Sequence, residues 1–274
     1  MHIAEMASLF STLSQDEARR YRWIQNVYEG DFRAASEALI ERRALDNERT
    51  ALPETKWAFC MAKLANHVVL KEAPGDGNAK VREKKVNNTL ELIGVQAELL
   101  HDCSDSLRST KKLLSQATDN ACRAMAEGGS DQLEKAARSL YLGLLVCTAM
   151  ESERAQQEGA ISVWQTALEF NRETLWEPWI EKEQDLTLDS LAKSALDTTV
   201  FGLLLQECAD DDSLEDVTFS DVIGNEVISG MGLKAEQVAP MHRLLNAVKS
   251  FKNSNSLADE EMMEVQPDDA VMVM

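Results

Sequence analysis

Apolar residues recur along this chain at steps of three and four, the spacing that gathers side chains on one side of an α-helix. Residues 1–13 carry Ile3, Met6, Ala7, Leu9, Phe10 and Leu13 in such a stripe. Ser14, with Glu17 three positions on, has the form of a capping box. The helix it opens shows Tyr21, Ile24 and Val27 on one face, with Trp23 beside it, and stops near Gly30. Asp31 caps a following helix marked by Phe32, Ala35 and Leu39 and ending at Arg42 or Arg43, so that two helices and a glycine turn make an antiparallel hairpin. Pro53 suits the first turn of a third helix. That helix runs through Trp57, Phe59, Met61, Leu64 and Val68 and ends before Pro74, leaving Gly75 to Asn78 as a loop. Further stripes predict helices over 80–101, 104–126, 131–156, 186–207, 218–230 and 235–252, with Gly128-Gly129-Ser130 as a break and Gly159 preceding a helix with Ile161, Trp164 and Leu168. Pro178, between Trp176 and Trp179, kinks 173–183 or begins a new helix there.

Roughly ten to twelve consecutive helices with short connections pack as antiparallel neighbours. The expected fold is therefore all-α, an irregular α-solenoid; no strict period recurs, which excludes the regular repeat families. The expected organisation is a first helical block over 1–185, a smaller C-terminal block over 186–252, and a disordered acidic tail over 253–274.

Composition sharpens this picture in four ways. Twelve Gly and five Pro in 274 residues are few, which favours long helices over many tight turns. The formal net charge of −19 opposes DNA, RNA and anionic membranes, and no Lys/Arg cluster of the kind a phosphate backbone needs is visible. No run of about 18 apolar residues is present, so no membrane span is expected, and Met1 to Leu13 lacks the basic start and apolar stretch of a secretory signal. The five cysteines, Cys60, Cys103, Cys122, Cys147 and Cys208, are odd in number and widely spaced, which reads as reduced thiols in an intracellular protein.

Candidate chemistry is sparse. Asp211, Asp212 and Glu215 resemble the aspartate-rich pair that holds magnesium–diphosphate in helical isoprenoid enzymes, but such a site needs carboxylates one turn apart on a rigid helix facing a second acidic motif. No second motif is found, and a solvated acidic loop over 207–221 is the favoured reading. His101-Asp102-Cys103 sets three reactive types side by side; neighbours on a helix point about 100° apart and form no relay. His67 and His242 stand alone, and no Cys or His pair has zinc spacing. The basic residues from Lys80 to Lys85 read as a solvated helix start. The chain is therefore expected to be no enzyme, with no cofactor, no metal and no small-molecule substrate.

The helix over 53–70 is the most informative. One stripe is Trp57, Cys60, Met61, Leu64 and Val68; a second is Ala58, Phe59, Ala62, Ala65 and Val69; polar groups are confined to Lys56, Lys63, Asn66 and His67. A surface helix normally shows one apolar stripe about 100° wide. A girdle this broad must be covered on two sides: either the helix lies in the middle of the domain, or one side awaits a partner.

These residues also carry a resemblance. The string from Tyr21 through Trp23, Gly30, Asp31, Phe32, Ala35 and Ser36 to Leu39 is similar to the start of the C-terminal helical domain of the nucleoporin one-thirty-three family, with its Trp, short turn, Ala-Ala-Ser and Leu. Lys56 and Lys63-Leu64-Ala65 match its next helix, Leu142-Gly143-Leu144 with Glu153-Arg154-Ala155 a later stretch, and Trp164 to Phe170 a helix beyond that. The likeness covers about 15–235 and keeps order and spacing. It implies a structural scaffold subunit of the nuclear pore, at the nuclear envelope, supporting nucleocytoplasmic transport and joined tail to tail to another helical scaffold nucleoporin of the Y-complex. By this likeness the partner lies against the helix matching 53–70, with its apolar contacts on Met61 and Leu64; Trp57 and Val68 join them from spacing. The family's full-length protein opens with a β-propeller and closes with an aromatic-rich helix. Neither is visible here, so a fragment, a short isoform or a truncated gene model is expected. The alternative is a generic helical adaptor of another cytosolic assembly.

Overall fold

The computed structural model describes residues 12, 14–45, 51–100, 107–129, 131–181, 188–209 and 211–263. Among them the regular structure is wholly helical, so the fold is all-α, and no helix is long and apolar enough to cross a membrane. The chain divides into two units, residues up to Leu113 and residues from Leu114.

The first unit is built on α1 (Gln15–Tyr28), α2 (Phe32–Leu45), α3 (Leu52–Glu72) and α4 (Gly77–Leu100). Each packs on its neighbour in sequence. Gly30, with φ of 76°, closes α1: its amide donates to the Val27 carbonyl and that of Asp31 to the Asn26 carbonyl, a turn that favours glycine in the left-handed region. Asp31 then caps α2 by accepting from the Ala34 amide at 2.9 Å, as its position predicts. Pro53 lies in the first turn of α3. Asp76 caps α4, accepting from the amides of Asn78 and Ala79, so the predicted loop is shorter than Gly75 to Asn78 and α4 begins at Gly77. The Ala79 amide, and behind it the Arg33 guanidinium, hold the Asp76 carboxyl below its ordinary range. Leu39, Ala58, Phe59, Ala62 and Val86 form the core between α2, α3 and α4. The alanines let the helices approach closely.

The second unit starts within α5 (Thr110–Glu127) and continues through α6 (Gln132–Thr148), α7 (Glu153–Glu169), a π-helical turn at Arg172–Trp176, α8 (Glu177–Glu181), α9 (Leu188–Thr198), α10 (Val200–Glu207), a short 3-10 turn at Asp212–Leu214, α11 (Asp221–Gly230) and α12 (Ala235–Met263). Its core is aromatic: Trp164, Phe201 and Phe219 meet edge to face at 5.0 to 5.6 Å, and Trp164 Nε1 donates to the Val217 carbonyl.

Several expectations are corrected here. The boundary at 185/186 does not hold: α10 packs on α6 and α7, and α11 on α7, so residues beyond 186 complete the core begun by α6 and α7. That long-range packing also departs from a stack in which each element touches only its neighbours. The helix expected over 131–156 is two helices. Ser152 caps the second by accepting from the Ala155 amide, while Gln156 Nε2 satisfies the carbonyls of Thr148 and Met150 left by the first. Gly159 therefore lies inside α7, where a Cβ would sit 2.7 Å from Cys147 Sγ. The helix expected over 186–207 breaks at Thr199, whose hydroxyl donates to the Ala195 carbonyl and accepts from the Gly202 amide. The expected tail over 253–274 is helical as far as Met263; its residues 264–274 lie outside the described residues. So do His101-Asp102-Cys103 and most of the stripe over 1–13.

Candidate functional site

Helix α3 turns one of its two apolar stripes inward and the other outward. Ala58, Phe59, Ala62, Ala65 and Val69 are buried against α2 and α4, together with Leu52, Thr55 and Asn66. Ser36 Oγ donates to the Ala62 carbonyl across this contact. The other stripe faces outward: Leu64 is 62% exposed, Trp57 47%, and Cys60 is exposed, while Met61 and Val68 are half-buried. All four predicted contact residues thus stand in one row on one helix, at steps of four, three and four. They differ in role. Trp57 and Leu64 stand out from the surface, whereas Met61 packs against the core of Leu39, Phe59 and Val86 and forms the floor between them.

Asn66 corrects the reading of α3's polar face. It is 1% exposed, donates through Nδ2 to the Ala79 carbonyl at 2.9 Å and accepts from Arg82 Nε at 3.2 Å, so it ties α3 to α4. Arg82 also pairs with Glu37, while Lys80, Lys84 and Lys85 around it are exposed, a solvated helix start as expected. Helix α1 differs too: Tyr21 and Val27 are exposed, Asn26 is buried, and the half-buried Trp23 packs on the core and meets Trp57 edge to face. Trp23 and Val27, four residues apart, share one side of α1, so spacing does not separate these two. Exposed apolar surface continues onto α1 at Val27, one turn from Trp23, and at Tyr28.

The polar part of α3's outer side is a second row, Lys56, Cys60, Lys63 and His67, one position before the first, with Lys71 continuing it; all are exposed. None of Lys56, Lys63, His67 and Lys71 forms an ion pair among the described residues. The wider charge is uneven. Residues 1–113 hold 17 acids and 17 bases, and residues 114–274 hold 30 acids and 11 bases, so the whole net charge of −19 resides in the second stretch.

The acidic loop is organised by a tyrosine. Tyr141 Oη donates to Asp211 Oδ2 at 2.7 Å, and the Ser213 amide donates to Asp211 Oδ1 at 3.0 Å. The Ser213 and Tyr141 hydrogen bonds hold the Asp211 carboxyl below its ordinary range. Glu215 is exposed. Asp211 is therefore a structural acceptor that pins the 3-10 turn to α6. Among the described residues no three His, Cys, Asp or Glu side chains gather closely enough to hold a metal ion. Of the thiols, Cys147 is buried and its pKa is pushed up to about 12 by that burial, which makes it inert. Cys60 and Cys122 are exposed.

Compared with models of known protein families, with curated proteins and with solved structures, the chain matches none of them.

Proposed function

We propose that this chain is a structural subunit of a helical scaffold, that of the nuclear pore, and that it joins a neighbouring helical subunit through the outward row of α3. The observation that carries the docking function is the exposure of Leu64 and Trp57 on a helix whose opposite side is the core of its unit. Fully burying an exposed Leu side chain contributes about 1.5–3 kcal/mol, and a few buried anchors dominate most interfaces. The half-buried Met61 and Val68 give the floor on which a partner's apolar side chains rest. The nuclear pore is supported by the ordered likeness of residues 15–235 to the nucleoporin one-thirty-three family.

The test is affinity capture of the tagged full chain from a cell extract, with the captured proteins identified by mass spectrometry, alongside the position of a tagged copy in the cell. Scaffold nucleoporins among the captured proteins and a rim at the nuclear envelope support this function. A tagged copy spread through the cytosol, with another assembly captured, points to a helical adaptor instead. The isoprenoid-type reading of Asp211, Asp212 and Glu215 has no observation in its favour, since Asp211 is committed to Tyr141 and Ser213.

A further inference from the structure

The outer side of α3 has two unlike edges. Along one edge of the apolar row Trp57, Met61, Leu64 and Val68 run Lys56, Lys63, His67 and Lys71, exposed and without ion pairs among the described residues. At the two ends of the helix lie the acids it carries, Glu54 and Glu72, both exposed. In a chain of net charge −19 this helix has more bases than acids. Unpaired lysines beside an exposed apolar row favour an occupant of opposite charge at that edge and disfavour a basic one.

We propose that the occupant of this face is an amphipathic α-helix of another protein whose apolar stripe carries Asp or Glu along the edge that meets Lys56, Lys63, His67 and Lys71. This rests on the docking function proposed above and adds the chemistry of the partner. The row at steps of four, three and four is the periodicity of a helix, so a partner helix can lie along α3 and present side chains between Trp57 and Leu64. A second copy of this chain meeting α3 antiparallel across a two-fold axis would place lysine row beside lysine row, which the same charges oppose.

The full chain is titrated with two synthetic helical peptides sharing one Leu stripe, one with Glu along a single edge and one with Lys there. Binding is read by protection of Cys60, in the middle of the face, from a maleimide, with exposed Cys122 in the second unit as the internal control. The acid-edged peptide is expected to protect Cys60 at roughly tenfold lower concentration at low salt, with the advantage shrinking as salt rises. In the exposed-surface variant Lys56→Glu, Lys63→Glu, Lys71→Glu the order of the two peptides reverses. Equal protection by both peptides, preference for the Lys-edged one, or protection of Cys60 by neither overturns the proposal. If the triple variant still captures the scaffold partner as wild type does while Leu64→Glu loses it, the acidic edge is wrong and the docking face stands. If both variants capture it unchanged, the docking face itself is wrong.

Discussion

The Trp57 indole meets the Trp23 indole edge to face, with ring centroids 5.6 Å apart and planes at 72°. Trp23 packs against the core of its unit while Trp57 is half in solvent, so the pair joins the interior to the outward row of α3. An aromatic pair of this geometry contributes about 0.5–1.5 kcal/mol beyond its buried area. Trp57→Ala is expected to lower the stability of the first unit by about 1 kcal/mol, measured by urea unfolding, and to weaken partner binding by more than that.

Leu64 and Ala62 separate docking from folding. Leu64 is the most exposed of the four proposed contact residues and Ala62, two positions away, is fully buried. Leu64→Glu should leave the unfolding midpoint within about 0.5 kcal/mol of wild type while removing at least about 2 kcal/mol of binding by setting an unpaired charge in the interface. Ala62→Glu should unfold the first unit. Met61→Glu belongs with neither, because Met61 also packs on the core; circular dichroism melts of the three variants distinguish them.

Asn66 is where α3 and α4 are tied by side chains. Asn66→Ala removes a donor to the Ala79 carbonyl and an acceptor for Arg82 Nε. The expected loss is about 1–3 kcal/mol, larger than for Asn66→Asp, which keeps the acceptor. Urea unfolding of both variants checks the order.

Gly159 and Cys147 set how closely α6 and α7 approach. A Cβ at 159 would lie 2.7 Å from Cys147 Sγ, so Gly159→Ala forces the helices apart at a cost of about 1–3 kcal/mol. Cys147→Ala clears that space. The double variant should therefore be more stable than the sum of the two single losses, as a double-mutant cycle would show.

Tyr141 and Asp211 give the second unit an alkaline sensitivity. Burial, then the hydrogen bond to Asp211, raises the Tyr141 pKa above its ordinary value of 10.0. The folded chain thus keeps a proton that the unfolded chain releases above about pH 10, so this contribution is present below that pH and falls as pH rises. Asp211 has the opposite sense: its pKa is lowered, so its contribution is present above the ordinary carboxyl value of 3.8 and is lost as acid protonates the folded group. Tyr141→Phe should cost about 0.5–1.5 kcal/mol at pH 7 and flatten the alkaline decline, measured by urea unfolding from pH 7 to 11.

The helices of this fold are legible in the chain because capping residues stand where the apolar period begins: Asp31, Pro53 and the glycines after α1 and α5 mark true ends. Thr199 and Ser152 are invisible to the apolar period, since each breaks a continuous apolar pattern through one hydroxyl: that of Ser152 accepts from the Ala155 amide of the helix it opens, and that of Thr199 donates to the Ala195 carbonyl of the helix before it and accepts from the Gly202 amide of the helix after it. The double stripe of α3 was plain, but which stripe faces inward was not decided by hydrophobicity, as each holds an aromatic ring. Ala58, Ala62 and Ala65 decide it, because small side chains allow the close approach that α2 and α4 make. Asn66 looks solvent-facing in the sequence because its partners, Ala79 and Arg82, are supplied by another helix. The packing of α10 on α6 joins residues some sixty apart, which no local period encodes.

Whether the outward row of α3 docks a helical scaffold partner is decided by capturing tagged wild-type and Leu64→Glu chains from the same extract and comparing the recovered proteins. Docking through this row gives scaffold nucleoporins with wild type, their loss with Leu64→Glu, and equal unfolding midpoints for the two chains. Equal recovery of the same partner by both chains would contradict it.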